Sequence, residues 1–343
     1  MKTAYLHIGS PKTGTTAIQT MYGMNPHFLA EAGFAFPPFS NCLYSETSNT
    51  YSGNGADLLR LTYNFSPAID SYIQNLFSNA DKMFISYEAF TKCYPEHINF
   101  LCDAFSRNNI KLHVILVFRN LYDYFFSLWK QNVYFGYRYS FPEYVIEKKD
   151  LNIFSTFGDF KFSLNCPFLA LKNFKKNKGI EITVLHYDAL KKKLLERFSQ
   201  ILGTRHSEIS QSVNASISYF ETEIVRGITN KIHAHCDFSE KQEFFFAKII
   251  GNMAKVFTNF PRMYSRERER EREKLKPFYK SVVHYLLQNY TSEVQELNNE
   301  YNLSLQIVTQ EDKFCQPVVF DHDTHTAELV QQFYETIDAK LRK

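Results

Sequence analysis

Eight consecutive residues, Gly9-Ser10-Pro11-Lys12-Thr13-Gly14-Thr15-Thr16, have the composition of a loop that holds a phosphate-like oxyanion. They follow a short apolar run and precede a helical pattern, so loop N–H groups and the positive end of a helix dipole converge on one point. Gly14 lets the backbone approach an oxygen with no Cβ in the way. Ser10, Pro11 and Thr13 complete the turn, Thr15 and Thr16 place hydroxyl donors at the helix start, and Lys12 adds a positive charge. Gly9 and Gly14 are spaced as in G-x-x-x-x-G, but Thr15-Thr16 stand where that motif has Lys-Ser/Thr, so the lysine lies inside the loop instead. Such a loop suits a terminal 5′-phosphate with an ammonium beside the transferred group, and it lacks the equipment for a triphosphate with its Mg²⁺. An ATP-dependent P-loop kinase is the second reading, and a non-catalytic nucleotide-binding or scaffold protein the third.

Arg119 directly follows the apolar run Leu112 to Phe118, and Ser127 lies eight positions later, about two turns into the next helical pattern. Asp123, Ser127 and Gln131 form one i,i+4 stripe on that helix. A guanidinium and a hydroxyl so placed suit a second phosphate. Glu88 closes Ile85-Ser86-Tyr87-Glu88 at the end of another apolar run, where burial would raise a carboxyl toward the neutral range useful to a general base. The alternative is an ion pair of Glu88 with Lys12 or Arg119. His7, at the end of the first run, is either a second candidate for contact with the substrate or a packed core histidine. His233-Ala234-His235-Cys236-Asp237 and His322-Asp323-Thr324-His325 do not have zinc-site spacing, and no metal is expected.

These groups need a scaffold that brings strand ends together. Thr3 to Ile8, Lys82 to Ser86, Leu112 to Phe118 and Glu181 to His186 read as buried strands. Helical patterns cover Thr15 to Tyr22, Ala68 to Phe77, His97 to Arg107, Leu121 to Phe135 and Phe168 to Lys176. Strand and helix in alternation imply an α/β fold, a mostly parallel P-loop-type sheet flanked by helices, whose ligand sites lie at the carboxyl edge. Residues 1–190 are the expected core. Residues 191–343 read as a helical continuation or cap of the same domain, with patterns at Leu190 to Leu202, Phe220 to His233, Glu240 to Val256 and Lys276 to Asn289 and a late apolar stretch, Ser304 to Val308, as a strand. Arg266 to Glu273 alternates Arg and Glu; its i,i+3 attractions and i,i+4 repulsions largely cancel, which leaves a solvated segment or an acceptor-binding comb of arginines. The aromatic stretch Tyr134 to Tyr144 is either an acceptor-stacking wall or a seam packed under a loop.

Composition sets the outer bounds. With 343 residues, 44% hydrophobic and 22% charged, the chain can bury a large core and is too apolar for disorder. A formal charge of +3 gives no reason to expect nucleic-acid binding. No run of about 18 or more apolar residues suggests a membrane span. Six cysteines without a C-x-x-C pair suit reduced thiols, and the expected location is the cytoplasm.

The chain resembles the sulfotransferases that use 3′-phosphoadenosine 5′-phosphosulfate. Pro11-Lys12-Thr13-Gly14-Thr15-Thr16 looks like their 5′-phosphosulfate loop, and Arg119 with Ser127 looks like their 3′-phosphate pair. Val184-Leu185-His186-Tyr187-Asp188-Ala189-Leu190 is similar to a strand-to-helix passage of bacterial members, and Val213-Asn214-Ala215-Ser216 to a late loop near the nucleotide; their R-K-G element is not evident. The resemblance implies sulfuryl transfer to a hydroxyl or amine, leaving adenosine 3′,5′-bisphosphate. Lys12 would stabilise the leaving oxygen, Glu88 would be the base, with His7 as the alternative because cytosolic small-molecule members use a histidine, and Asn214 would contact the nucleotide. Gln131 and His7 would face an acceptor, a carbohydrate or surface-polysaccharide precursor, with a small phenol or alcohol as the alternative.

Overall fold

The computed structural model describes residues 1–35, 53–134, 137–147, 151–152, 161–162, 166–191, 193–207, 276–277, 279–308 and 314–315, with positions 219, 222–223, 225–227 and 229–230. In chain order the elements are β1 (Thr3–His7), α1 (Thr15–Met24), α2 (Pro26–Glu31), β2 (Phe34–Ala35), α3 (Ala56–Tyr63), α4 (Ala68–Leu76), β3 (Lys82–Ser86), α5 (Pro95–Arg107), β4 (Lys111–Phe118) and α6 (Leu121–Tyr134). There follow β5 (Leu151–Asn152), β6 (Lys161–Phe162), α7 (Cys166–Lys175), β7 (Glu181–His186), α8 (Tyr187–Leu190), α9 (Leu194–Leu202), β8 (Lys276–Pro277), α10 (Lys280–Tyr301) and β9 (Phe314–Cys315). The chain divides into two compact units, one of Met1–Asn120, Phe160–Ala215 and Ser292–Gln306, the other of Leu121–Asp159, Ser216–Thr291 and Ile307–Lys343.

The first unit is an α/β layer structure on a five-stranded sheet, order β2-β3-β1-β4-β7, parallel throughout. Its strands are nearly unbroken apolar runs because both faces are covered. Ile18, Met21 and Tyr22 of α1 and Leu194, Phe198 and Leu202 of α9 pack with Phe84, Ile115, Val117 and Leu185 of the sheet. α5 buries Ile98, Leu101, Cys102 and Phe105, an i, i+3, i+4, i+7 stripe, and carries Pro95 in its first turn and Arg107 in its last.

Register decides where the strand ends fall. His7 of β1 is level with Ser86 of β3 and Ile115 of β4, and Phe118 of β4 is level with His186 of β7. β4 therefore outruns β1 by about 10 Å, three residues of strand rise, and delivers Arg119 alongside the loop that follows β1.

In the second unit α6 carries Phe126 and Trp129, whose rings lie 5.2 and 5.6 Å from that of Phe141. Trp129 Nε1 donates to the Tyr139 carbonyl at 3.0 Å, and Asn132 Nδ2 donates to the Tyr144 hydroxyl at 2.8 Å. Phe141 and Tyr144 are completely or almost completely buried, so they serve as a packed seam rather than an exposed stacking wall.

Two of the differences from the elements read in the sequence have a clear physical reason. Ser304 to Val308 forms no strand: the Gln306 N–H is taken by the Asn120 side chain at 2.8 Å and the Leu305 N–H by Asn298 at 2.8 Å, which leaves no sheet ladder. The long helix α10 starts at Lys280 and continues twelve residues past Asn289, because Val294 and Leu297 extend the buried stripe of Val282, Leu286 and Tyr290. No helix among the described residues is long and apolar enough to cross a membrane.

Candidate functional site

The loop between β1 and α1 is held in an unusual backbone path. Lys12 has φ 65° and Gly14 φ 82°, both left-handed; for lysine that conformation costs about 1 kcal/mol or more. Thr13 Oγ1 donates to the Ser10 carbonyl at 2.5 Å, and both residues are buried, with Pro11 and Lys12 at the crest partly exposed. α1 starts at Thr15 with Gly14 as its N-cap and no side-chain cap, so its opening turn offers backbone donors to a ligand. A Cβ on Gly9 would come within 2.5 Å of both His7 Nε2 and Thr15 Cγ2, which is why glycine stands there.

Glu88 reaches this loop from the neighbouring strand. Tyr87 N–H donates to the His7 carbonyl at 2.9 Å, prolonging the pairing of β1 and β3 by one bond, and Glu88 then opens a 3₁₀ turn, Glu88–Lys92. Its Oε1 accepts a hydrogen bond from the Thr15 hydroxyl. Burial pushes the Glu88 carboxyl up to about 7, against the opposing pull of Lys12 and Lys92. Burial likewise lowers the Lys12 ammonium; Glu88 counteracts this, and Arg119 adds to it.

His7 lies beneath the loop, completely buried. Its Nδ1 shares a 2.9 Å hydrogen bond with Ser86 Oγ, which also accepts from Gln19 Nε2 at 3.1 Å, and its ring meets Phe198 edge-on at 4.9 Å. Burial depresses its pKa to about 3, so the ring is neutral, and among the described residues its Nε2 has no hydrogen-bond partner.

Arg119 touches the loop from the far side. Its Nη1 donates to the Lys12 carbonyl at 3.2 Å, Nε lies 3.6 Å from Asp188 Oδ1, and the guanidinium carbon stands 5.4 Å from the centre of the Tyr187 ring. Asp188 Oδ2 accepts the Asn120 N–H at 2.8 Å. Asn120 Oδ1 in turn lies 3.1 Å from His186 Nε2, and His186 Nδ1 lies 3.4 Å from Ser304 Oγ. Burial alone would raise the Asp188 carboxyl, but His186, the Asn120 N–H and Arg119 outweigh it and hold the group below the ordinary aspartate range.

Of the residues singled out in the sequence, Ser10, Pro11, Lys12, Thr13, Gly14, Thr15, Thr16, Glu88, Arg119 and His7 all lie at the carboxyl edge of β1, β3 and β4. Ser127 and Gln131 lie on α6 in the second unit, both partly buried. Asn214, the two histidine clusters and Arg266 to Glu273 lie outside the described residues. Sequence reasoning gave no role to Tyr187 and Asp188, although their place at the end of β7, on the same edge, was the available signal. Among the described residues no group of three His, Cys, Asp or Glu side chains is placed to hold a metal ion.

No protein-family model matches the chain, and no curated protein matches it. Among solved structures it is similar to a sulfotransferase from Alicyclobacillus acidocaldarius, with 12% sequence identity and a TM-score of 0.39, over 69% of this chain and 98% of that one.

Proposed function

We propose that the chain is a sulfotransferase that uses 3′-phosphoadenosine 5′-phosphosulfate and passes the sulfuryl group to a hydroxyl or amine of an acceptor, a carbohydrate or polysaccharide precursor in the first instance. The observation that carries this reading is the meeting of Lys12, Glu88 and Arg119 around the opening turn of α1. Two cations and a helix start make an anion cradle, and the buried carboxyl beside them titrates where a general base works best. When bound, the nucleotide supplies the activated sulfuryl group.

The chain's own residues have separable tasks. Loop amides, the Thr15 N–H and the Thr16 hydroxyl bind the 5′-phosphate end, and Arg119 holds the second phosphate. Glu88, once ionised, takes the proton of the acceptor hydroxyl. Lys12 places an ammonium where negative charge grows on the leaving oxygen. The partners of Glu88 and Arg119 within the site favour these roles over a kinase reading, since the residue after Gly14 is a threonine whose hydroxyl is directed to Glu88 rather than a lysine directed to phosphates.

Calorimetry on the full chain tests the proposal. Adenosine 3′,5′-bisphosphate should bind without added metal and more tightly than ATP with Mg²⁺. A preference for ATP with Mg²⁺ would replace the sulfotransferase reading with the kinase one.

A further inference from the structure

We infer that Asp188 and Tyr187 are positioning residues that preset the Arg119 guanidinium for the second phosphate; the inference rests on the proposed use of a nucleotide with two separate phosphate ends. Arginine is a costly residue to aim, because its long side chain surrenders much rotamer freedom when it is fixed. Here that ordering is already in place. Asp188 lies at the Nε edge of the guanidinium at 3.6 Å, the Lys12 carbonyl takes Nη1 at 3.2 Å, and the Tyr187 ring covers one face at 5.4 Å.

Asp188 does more than pair a charge. Its second oxygen accepts the Asn120 N–H, so one carboxylate attracts the guanidinium by charge and holds by a hydrogen bond the peptide that follows Arg119. Tyr187 is wedged by the loop itself: a Cβ on Gly14 would stand 3.0 Å from Cε2 of its ring. The end of β7 thus gauges the separation between the turn at Gly14 and the arginine at the end of β4. The carboxyl is held ionised at neutral pH by His186, the Asn120 N–H and Arg119, which outweigh its burial.

Electrostatics and positioning give opposite signs for this residue. Replacing Asp188 with asparagine removes a negative charge near the site, which by Coulomb attraction alone tightens every anionic ligand. Loss of positioning instead weakens only the ligand that carries the second phosphate. Calorimetry on the full chain, at one ionic strength, compares adenosine 3′,5′-bisphosphate with adenosine 5′-phosphate for wild type, Asp188→Asn, Tyr187→Leu, Arg119→Ala and Arg119→Ala/Asp188→Asn. Asp188→Asn should weaken the bisphosphate about tenfold and leave adenosine 5′-phosphate within about twofold. Tyr187→Leu should give a smaller loss of the same selectivity, and Tyr187→Phe should restore it. In the Arg119→Ala background Asp188→Asn should no longer weaken the bisphosphate and should leave only the slight tightening that loss of its charge gives both ligands, an outcome that general structural damage would not produce.

Unchanged or tighter bisphosphate binding in Asp188→Asn, beside a selective loss in Arg119→Ala, overturns the inference while leaving the proposed function standing. Equal losses of both ligands in Arg119→Ala remove the second-phosphate role itself, and the inference with it. Should Asp188→Asn fail to fold, the Tyr187→Leu and Tyr187→Phe pair decides by the same ligand ratio.

Discussion

The hydroxyl of Thr15 donates to the carboxyl of Glu88, linking the first residue of α1 to the first residue of the 3₁₀ turn that follows β3. Glu88 is thereby oriented by the same turn that would hold the 5′-phosphate end of the nucleotide, so one hydrogen bond ties the proposed base to the proposed anion cradle. Lys12 completes the arrangement by acting on Glu88 through its charge.

Glu88→Gln should reduce sulfuryl transfer by about a hundredfold or more while adenosine 3′,5′-bisphosphate binds as it does to wild type. The wild-type rate should climb with pH through about 7, where the carboxyl ionises, and the residual rate of the variant should lose that rise. A fully active variant would exclude Glu88 as the base.

The same carboxyl makes a signed contribution to stability. Its folded-state value of about 7 lies above the ordinary 4.5, so the folded chain holds a proton that the unfolded chain has released. Stability is therefore lost as pH rises from 4.5 to 7 and stays reduced above that. Chemical denaturation of wild type and Glu88→Gln should show the variant gaining relative stability across that window, on the order of 3 kcal/mol at most. A constant difference between pH 4.5 and 7 would mean that the carboxyl is not buried.

His7 acts in the opposite direction. Burial lowers it from 6.5 to about 3, so the unfolded chain takes up a proton first, and stability is lost as pH falls below 6.5. His7→Gln, which keeps a polar group near Ser86, should flatten the decline between pH 6.5 and 3 in denaturation curves. An unaltered slope would assign acid sensitivity to other groups.

Gly14→Ala should lose both stability and anion affinity. The residue sits at φ 82°, and the new methyl would come within 2.6 Å of Leu194 Cδ2 and 3.0 Å of the Tyr187 ring. A loss of about 1–3 kcal/mol is expected on melting or denaturation, with weaker adenosine 3′,5′-bisphosphate binding at temperatures where the variant is folded. Wild-type affinity in this variant would show that the loop does not need its left-handed corner to bind.

Much of this arrangement was legible in the sequence, for local reasons. The β1, β3, β4 and β7 runs are apolar because both sheet faces are covered, and the turn at Gly14 announces itself by residue type. The partners of Arg119 were hidden because Asp188 lies 69 positions away, and only the parallel pairing of β4 with β7 brings the two together. β2 is two residues long and has too little period to detect. Ser304 to Val308 read as a strand on its apolar content, while the side chains of Asn120 and Asn298 had already claimed its backbone. The stretch Tyr134 to Tyr144 was ambiguous because aromatic rings serve a wall and a core equally well, and only burial separates the two.

The unequal lengths of β1 and β4 make strand length itself a constraint on chemistry. The interior of β4 tolerates exchange among apolar residues of similar volume, but removal of one residue would reverse the pleat and send the guanidinium to the opposite face of the sheet. Natural variation in this protein should therefore change the letters of β4 freely and its residue count hardly at all, with insertions and deletions confined to the turns at the amino edge, where no charged group has to arrive at a fixed height.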